Sequence, residues 1–219
     1  MENKIQNAEY WKNRSINDEE RDWKETGENW VDDYVKSVDH PHRNLIIDVL
    51  YREIKTYSFN LFEAGCSAGP NLLKIHRSYP FIWTMGCDVN EESIKKAKEV
   101  LSSFRSYVYV GDFHDIKLMD KSFDVSLADA VLMYSGPNQI EKALDELVRI
   151  TEKLIIIVER VSEVEENNGY IWSRNYPRLM ENRGCGVEII KLDETTWPGS
   201  LNWQKYGYVI ICKLPQKDA

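Results

Sequence analysis

The run Leu154-Ile155-Ile156-Ile157-Val158 constrains the fold more than any other segment. Consecutive aliphatic side chains with no polar alternation suit a strand covered on both faces, as in a parallel sheet layered by helices. The preceding chain fits that arrangement. Short apolar runs at 59–63, 81–89, 107–110 and 123–128 alternate with helical stretches at 71–78, 91–103 and 138–150. In the last of these, Ile140, Ala143, Leu144, Leu147, Val148 and Ile150 form an apolar face. Strands alternating with helices bury themselves as a doubly wound sheet. Beyond residue 158, a helix is predicted over 170–183 and strands over 187–192 and 206–214. The 193–205 connection carries no helical pattern, so the last two strands are expected to close the sheet as an antiparallel pair. The predicted fold is therefore α/β: a Rossmann-like doubly wound sheet of about seven strands, mostly parallel with an antiparallel last strand.

Composition shifts near Thr56. Residues 1–56 are polar and charged, with embedded Tyr10, Trp11, Trp23, Trp30 and Tyr34, and 45–54 has helical apolar spacing. This predicts a helical N-terminal cap over 1–56 and the Rossmann-like domain over 57–219. No apolar run is long enough to cross a bilayer, and Met1–Gln6 lacks a secretory core, so a cytoplasmic monomer or homodimer without membrane contact is expected. The net charge of −8 disfavours nucleic acid as a partner, because phosphate-binding surfaces are basic. Cys66, Cys87, Cys185 and Cys212 are widely spaced with no C-x-x-C pair, which fits reduced, buried thiols and no metal site.

The chemistry concentrates where strands end. Glu63-Ala64-Gly65-Cys66-Ser67-Ala68-Gly69 joins a strand to a helix. The dinucleotide fingerprint would need glycine at 65, 67 and 70, but Ser67 and Pro70 break it, so NAD or FAD is disfavoured. Asp88, followed by Val89, closes the second strand, where a carboxylate can accept from both ribose hydroxyls. Gly111-Asp112-Phe113 follows the third strand, where the acid can accept from an adenine amino group and the ring can pack on the base.

Together these segments resemble the class I S-adenosylmethionine-dependent methyltransferases over about 61–158. EAGCSAG is similar to that family's first motif, with Ser67 in place of its middle glycine. GCDVNEESIKKAKE, VGDF and FDVSLADAVLMY resemble its second-, third- and fourth-strand blocks, and YGYVIICKL resembles its antiparallel last strand. The resemblance implies S-adenosyl-L-methionine as cofactor and S-adenosyl-L-homocysteine as product. It places Glu63, Gly65, Cys66, Ser67 and Gly69 at the methionine and ribose, Asp88 and Val89 at the ribose, and Gly111, Asp112 and Phe113 at the adenine. Asp129 and Ala130 would border the methionine end, Asp129 through its backbone carbonyl.

The sulfonium methyl is already activated, so catalysis can rest on positioning; an oxygen acceptor also needs a base, whereas a neutral amine or a thiolate does not. His42, Tyr134 and Glu159 are the candidate catalytic residues. His40 and His114 are further possible bases, His114 reading first as a loop residue. Tyr134 and Met133 stand where many relatives carry Glu-His, so no role is copied onto them. One compact domain with an acidic surface suggests a small-molecule acceptor such as a sugar or natural-product intermediate. The alternatives are a protein or nucleic-acid methyltransferase, a non-catalytic S-adenosylmethionine-binding protein, or a nicotinamide oxidoreductase.

Overall fold

A computed structural model describes residues 8–15, 29–169 and 171–215; Met1–Gln6, Trp23 and Tyr170, which entered the sequence reading, lie outside them. The N-terminal segment contributes α1 (Ala8–Asn13), α2 (Trp30–Lys36), a 3-10 turn (Ser37–Asp39) and α3 (Pro41–Glu53). Then follow β1 (Asn60–Ala64), α4 (Pro70–Ser78), β2 (Trp83–Asp88), α5 (Glu91–Val100), β3 (Ser106–Val110), β4 (Phe123–Asp129), α6 (Pro137–Ile150) and β5 (Thr151–Arg160). A small ribbon of β6 (Glu166–Asn167) and β7 (Trp172–Ser173) leads to α7 (Tyr176–Glu181), β8 (Gly186–Lys191), α8 (Leu201–Tyr206) and β9 (Gly207–Lys213).

Seven strands form one sheet in the order β3-β2-β1-β4-β5-β9-β8. β1 to β5 are parallel, and β9 runs antiparallel to both its neighbours, β5 and β8. The expected doubly wound sheet is thus present, and β9 inserts between β5 and β8. Strand order reverses between β1 and β4, which puts the switch point of the sheet beside the Gly65 turn.

The aliphatic run in β5 works as a two-faced strand. Leu154, Ile156 and Val158 enter one core with Ile46 and Leu50 of α3, Leu72 and Ile75 of α4 and Ile94 of α5. Ile155 and Ile157 enter the other, with Ile140, Leu144 and Leu147 of α6 and Tyr176 and Met180 of α7. Each fully buried Ile or Leu contributes about 1.5–3 kcal/mol, so losing polar alternation here is the cost-free choice for a central strand. α3 shares its core with the sheet rather than lying over it.

Two expectations are corrected after β5. The region 170–183 is not one helix: it includes β7, and α7 starts only where the Asn175 side chain accepts from the Arg178 N–H and Pro177 sits in the first turn. The 193–205 connection is not free of helix, since α8 occupies Leu201–Tyr206. Six residues are too few to carry a readable apolar period. Among the described residues, no helix is long and apolar enough to cross a membrane.

Candidate active site

β1 ends in a turn that only an unusual backbone can make. Gly65, Ser67 and Gly69 take φ of +67°, +45° and +81°. A Cβ on Gly65 would strike the Val131 side chain, so this position is closed to any larger residue. The Cys66 N–H donates to the Cys87 carbonyl at 2.9 Å and the Ser67 N–H to Asp88 Oδ2 at 2.9 Å, pinning the turn to β2. Gly69 caps α4, and Pro70 opens it. Asp88 also accepts the Asn90 N–H on Oδ1 at 2.9 Å; burial pushes its carboxyl up, against these backbone donors. Burial pushes the Cys66 thiol far up, so it is inert at neutral pH.

Glu63, Asn71 and Asp129 converge from β1, α4 and β4. Asn71 Nδ2 donates to Glu63 Oε1 at 2.7 Å and to Asp129 Oδ2 at 2.9 Å. This leaves Glu63 Oε2, Asn71 Oδ1 and Asp129 Oδ1 buried without a protein partner, on three residues that line one cavity. Unsatisfied buried acceptors are costly, and three of them match the three N–H bonds of a primary ammonium. Burial pushes Glu63 up to about 8, with Asn71 working against it. Asp129 is buried as well, but His42, Arg43 and Asn71 outweigh burial and hold it below the usual carboxylate range.

α3 supplies the opposite wall. His42 Nε2 lies 2.8 Å from Asp129 Oδ2, and its Nδ1 lies 2.5 Å from His40 Nδ1. One assignment satisfies both: His42 donates from Nε2 to the carboxylate and accepts at Nδ1 from His40. Burial keeps both imidazoles below their ordinary range, His40 at about 4. Arg43 is buried, donates to the Ser37 carbonyl at 2.7 Å, and keeps Nε without a protein partner.

At the third strand, Asp112 Oδ1 accepts from the His114 N–H at 2.9 Å and pairs with His114 Nδ1 at 2.5 Å. His114 Nε2 lies 2.8 Å from Ser135 Oγ. His114 stands in the loop after β3, as read, and there it is buried, lines the cavity and pairs with Asp112. Phe113 is also buried and lines the cavity.

The remaining wall is aromatic. Trp11 meets Tyr134 edge-on at 5.0 Å, and Trp197 stacks on Trp203 at 4.1 Å and on His42 at 4.3 Å. Asn90 Nδ2 donates to the carbonyls of Trp11 at 2.8 Å and Arg14 at 2.9 Å, tying the α1 region to the end of β2.

The cavity collects His42, Glu63, Gly65, Cys66, Ser67, Asp88, Val89, Phe113, Asp129, Ala130 and Tyr134. Gly69, Gly111 and Asp112 stand behind its surface: Gly69 and Gly111 shape turns, and Asp112 sits on the exposed side of His114. Glu159 is corrected. It is fully buried outside the cavity and accepts the Met133 N–H at 3.2 Å, so it is out of reach of an acceptor; burial also pushes it up to about 8. Burial also pushes the Tyr134 phenol far up, so it keeps its proton. Asn71, Trp197 and Trp203 were missed. Asn71 follows the turn so closely that its place in the first helical turn facing Glu63 was the available signal; the two tryptophans had none. Among the described residues, no cluster of His, Cys, Asp and Glu forms a metal site.

Residues 62–153 match the family model described as a methyltransferase domain. No protein of curated function matches the chain in sequence. Similar solved structures include the complex of the Haloferax volcanii Trm112 methyltransferase activator with a putative methyltransferase, at 15% identity, TM-score 0.68 and coverage of 87% of this chain and 96% of that one. The [4+2]-cyclase SpnF matches at 16% identity and TM-score 0.65, covering 80% of this chain and 81% of its own. Magnesium protoporphyrin IX methyltransferase (ChlM) from Synechocystis PCC 6803 with bound SAM matches at 11% identity and TM-score 0.64, covering 89% and 88%. At these identities the solved structures speak for the fold. The chain thus carries a stretch that matches a methyltransferase domain, set in a seven-stranded sheet whose fold is that of these solved structures.

Proposed function

We propose that this cavity binds S-adenosylmethionine and directs its methyl group to a small-molecule acceptor enclosed by the N-terminal segment. The observation that carries the reading is the trio of buried, unpartnered acceptors on Glu63, Asn71 and Asp129 beside the Gly65 turn. They fit the cofactor's ammonium, and Arg43, with its unpartnered Nε, suits the carboxylate of the same amino-acid end. Asp88 would hold the ribose, and Phe113 with Asp112 and His114 the adenine. When bound, the cofactor supplies a methyl group on a sulfonium, an electrophile that needs no further activation.

The residues of this chain then bind and orient. Asn71 spaces the two carboxylates, His42 and His40 hold Asp129 from behind, and the aromatic wall excludes water from the transfer path. The enclosing residues Trp11, Trp30 and Tyr34 support a low-molecular-weight acceptor over a protein or nucleic acid. The test pairs a melting experiment with a methyl-transfer screen. S-adenosylmethionine and S-adenosylhomocysteine should raise Tm while NAD and NADP leave it unchanged, and label from the methyl group should pass to a small acceptor. No shift with either sulfur ligand would overturn the reading.

A second reading, binding of S-adenosylmethionine without methyl transfer, has one observation in its favour: SpnF, of the same fold, is described as a [4+2]-cyclase. Binding of S-adenosylhomocysteine together with no methyl transfer to any acceptor class would favour it.

A further inference from the structure

Beyond the cofactor residues, two features of the cavity bear on which acceptor atom is methylated. The inference rests on the methyltransferase reading. The first is the wall: Trp197 stacks on Trp203, Trp11 meets Tyr134, and Trp30 meets Tyr34 edge-on at 6.3 Å. Aromatic faces receive flat rings and cations, because the ring quadrupole is negative over its face. A cation already uses this wall from behind, with the Arg14 guanidinium 4.3 Å from the Trp30 ring and 5.0 Å from Trp11.

The second feature is that the lining groups able to act as a base are engaged within the protein or, on the proposed function, by the cofactor's ammonium. An alcohol or phenol needs a base with a lone pair directed at its proton. Among the described residues lining the cavity, His42 spends its nitrogens on Asp129 and His40, and His114 spends its own on Asp112 and Ser135. Asp88 accepts two backbone N–H groups, and Glu63, Asn71 and Asp129 share the ammonium subsite. The Tyr134 phenol keeps its proton. Asp129, held ionised by His42, Arg43 and Asn71, also repels a thiolate.

We propose that the methyl acceptor is a nitrogen of a planar heteroaromatic ring, of the type that is unprotonated at neutral pH. Such a nitrogen arrives with its lone pair available. The lone pair attacks the methyl carbon; the C–N bond forms as the C–S bond breaks with its electron pair left on sulfur. The positive charge passes from sulfur to the ring nitrogen, no proton moves, and the cationic product lies against Trp and Tyr faces. A sugar hydroxyl, by contrast, would have to shed a proton where no engaged group is open to take it.

The test uses the full chain saturated with S-adenosylhomocysteine, whose own affinity is measured first, so that a failure there strikes the methyltransferase reading and not this one. N-methylisoquinolinium and its neutral hydroxylated counterpart 2-naphthol are then titrated by tryptophan fluorescence. The cation should bind about tenfold more tightly, the scale of desolvated cation–π contacts. Trp203→Leu should erase most of that preference and Trp203→Phe should keep it. With S-adenosylmethionine present, isoquinoline should be methylated on nitrogen in preference to 2-naphthol on oxygen. Equal or tighter binding of 2-naphthol, transfer to its oxygen, or a preference untouched by Trp203→Leu would overturn the proposal.

Discussion

The two halves of the cavity are built differently. The half proposed to hold the cofactor is made of strand ends and the turns that follow them: Glu63 and Gly65 at the end of β1, Asp88 at the end of β2, Phe113 after β3, Asp129 at the end of β4. Its polar groups are positioned by backbone hydrogen bonds within a few residues or across adjacent strands. The acceptor half is assembled from segments distant in the chain, Trp11, Trp30 and Tyr34 at one end and Trp197 and Trp203 at the other. It is held by ring contacts and by a few long-range bonds such as Asn90 to the Trp11 carbonyl. A sheet topology fixes the first kind of site. The second depends on what is draped over the sheet, so it is free to vary with the acceptor.

The largest expected difference between the halves is electrostatic. Glu63 sits in the cofactor half at about 8 and Glu159, buried outside the cavity, also at about 8, against an ordinary 4.5. Between those values the native protein retains protons that the unfolded chain has released, so stability falls as pH rises. The slope is about 1.4 kcal/mol per pH unit for each group. Urea unfolding of the ligand-free protein at pH 6.5, 7.2 and 8 should show this decline; below pH 6.5 the buried His40, His42 and His76, held below the ordinary imidazole range, add a slope of opposite sign. Glu63→Gln and Glu159→Gln should each remove about half the slope, and an unchanged slope in both would refute the assignment. Only Glu63→Gln should also weaken S-adenosylhomocysteine binding. That binding should tighten as pH rises toward 8, because the ammonium prefers the ionised carboxylate.

Next in size is Asp88→Ala, which removes the acceptor for the Ser67 and Asn90 N–H groups and, on the proposed function, the charged hydrogen bonds to the ribose. S-adenosylhomocysteine affinity should drop by roughly 1.5–3 kcal/mol by calorimetry; an unchanged affinity would move the ribose elsewhere. Asn71→Ala should cost less, about 1 kcal/mol of cofactor binding, since it removes one neutral acceptor and the spacer between two carboxylates. Asn71→Asp should do more damage by adding a third acid, and a milder effect than alanine would contradict the ammonium subsite. The smallest net effect is at the turn, where glycine's extra backbone entropy offsets about 0.5–1 kcal/mol of any relieved strain. Ser67 holds a left-handed φ of +45° that costs an L-residue about 1–2 kcal/mol, so Ser67→Gly should stabilise or leave Tm unchanged, never lower it. A drop in Tm would mean that the hydroxyl carries an interaction unaccounted for.

This division also explains what the sequence disclosed. The unalternated run in β5, the Gly65 turn and the acids at successive strand ends are local patterns with local causes, so the fold and the strand-end side of the cavity were readable. Glu159 misled because a strand-end acid looks the same whether it faces the cavity or is folded under the Leu132–Tyr134 turn; only the packing of that turn decides. His114 is the loop residue that was read, but its burial was not legible, since its tie to Ser135 joins the loops after the third and fourth strands. Trp197 and Trp203 were unreadable: α8 is too short to show a period, and the segment's place beside His42 depends on the placing of β8 and β9 at the sheet edge beyond β5.

The most direct test is a calorimetric titration of the purified chain with S-adenosylhomocysteine at pH 8, with NAD as the control. Saturable one-to-one binding of the sulfur ligand, none of NAD, and loss of the signal in Glu63→Ala is the expected result. Absence of S-adenosylhomocysteine binding by a folded protein, or equal binding by Glu63→Ala, would contradict the account of this cavity.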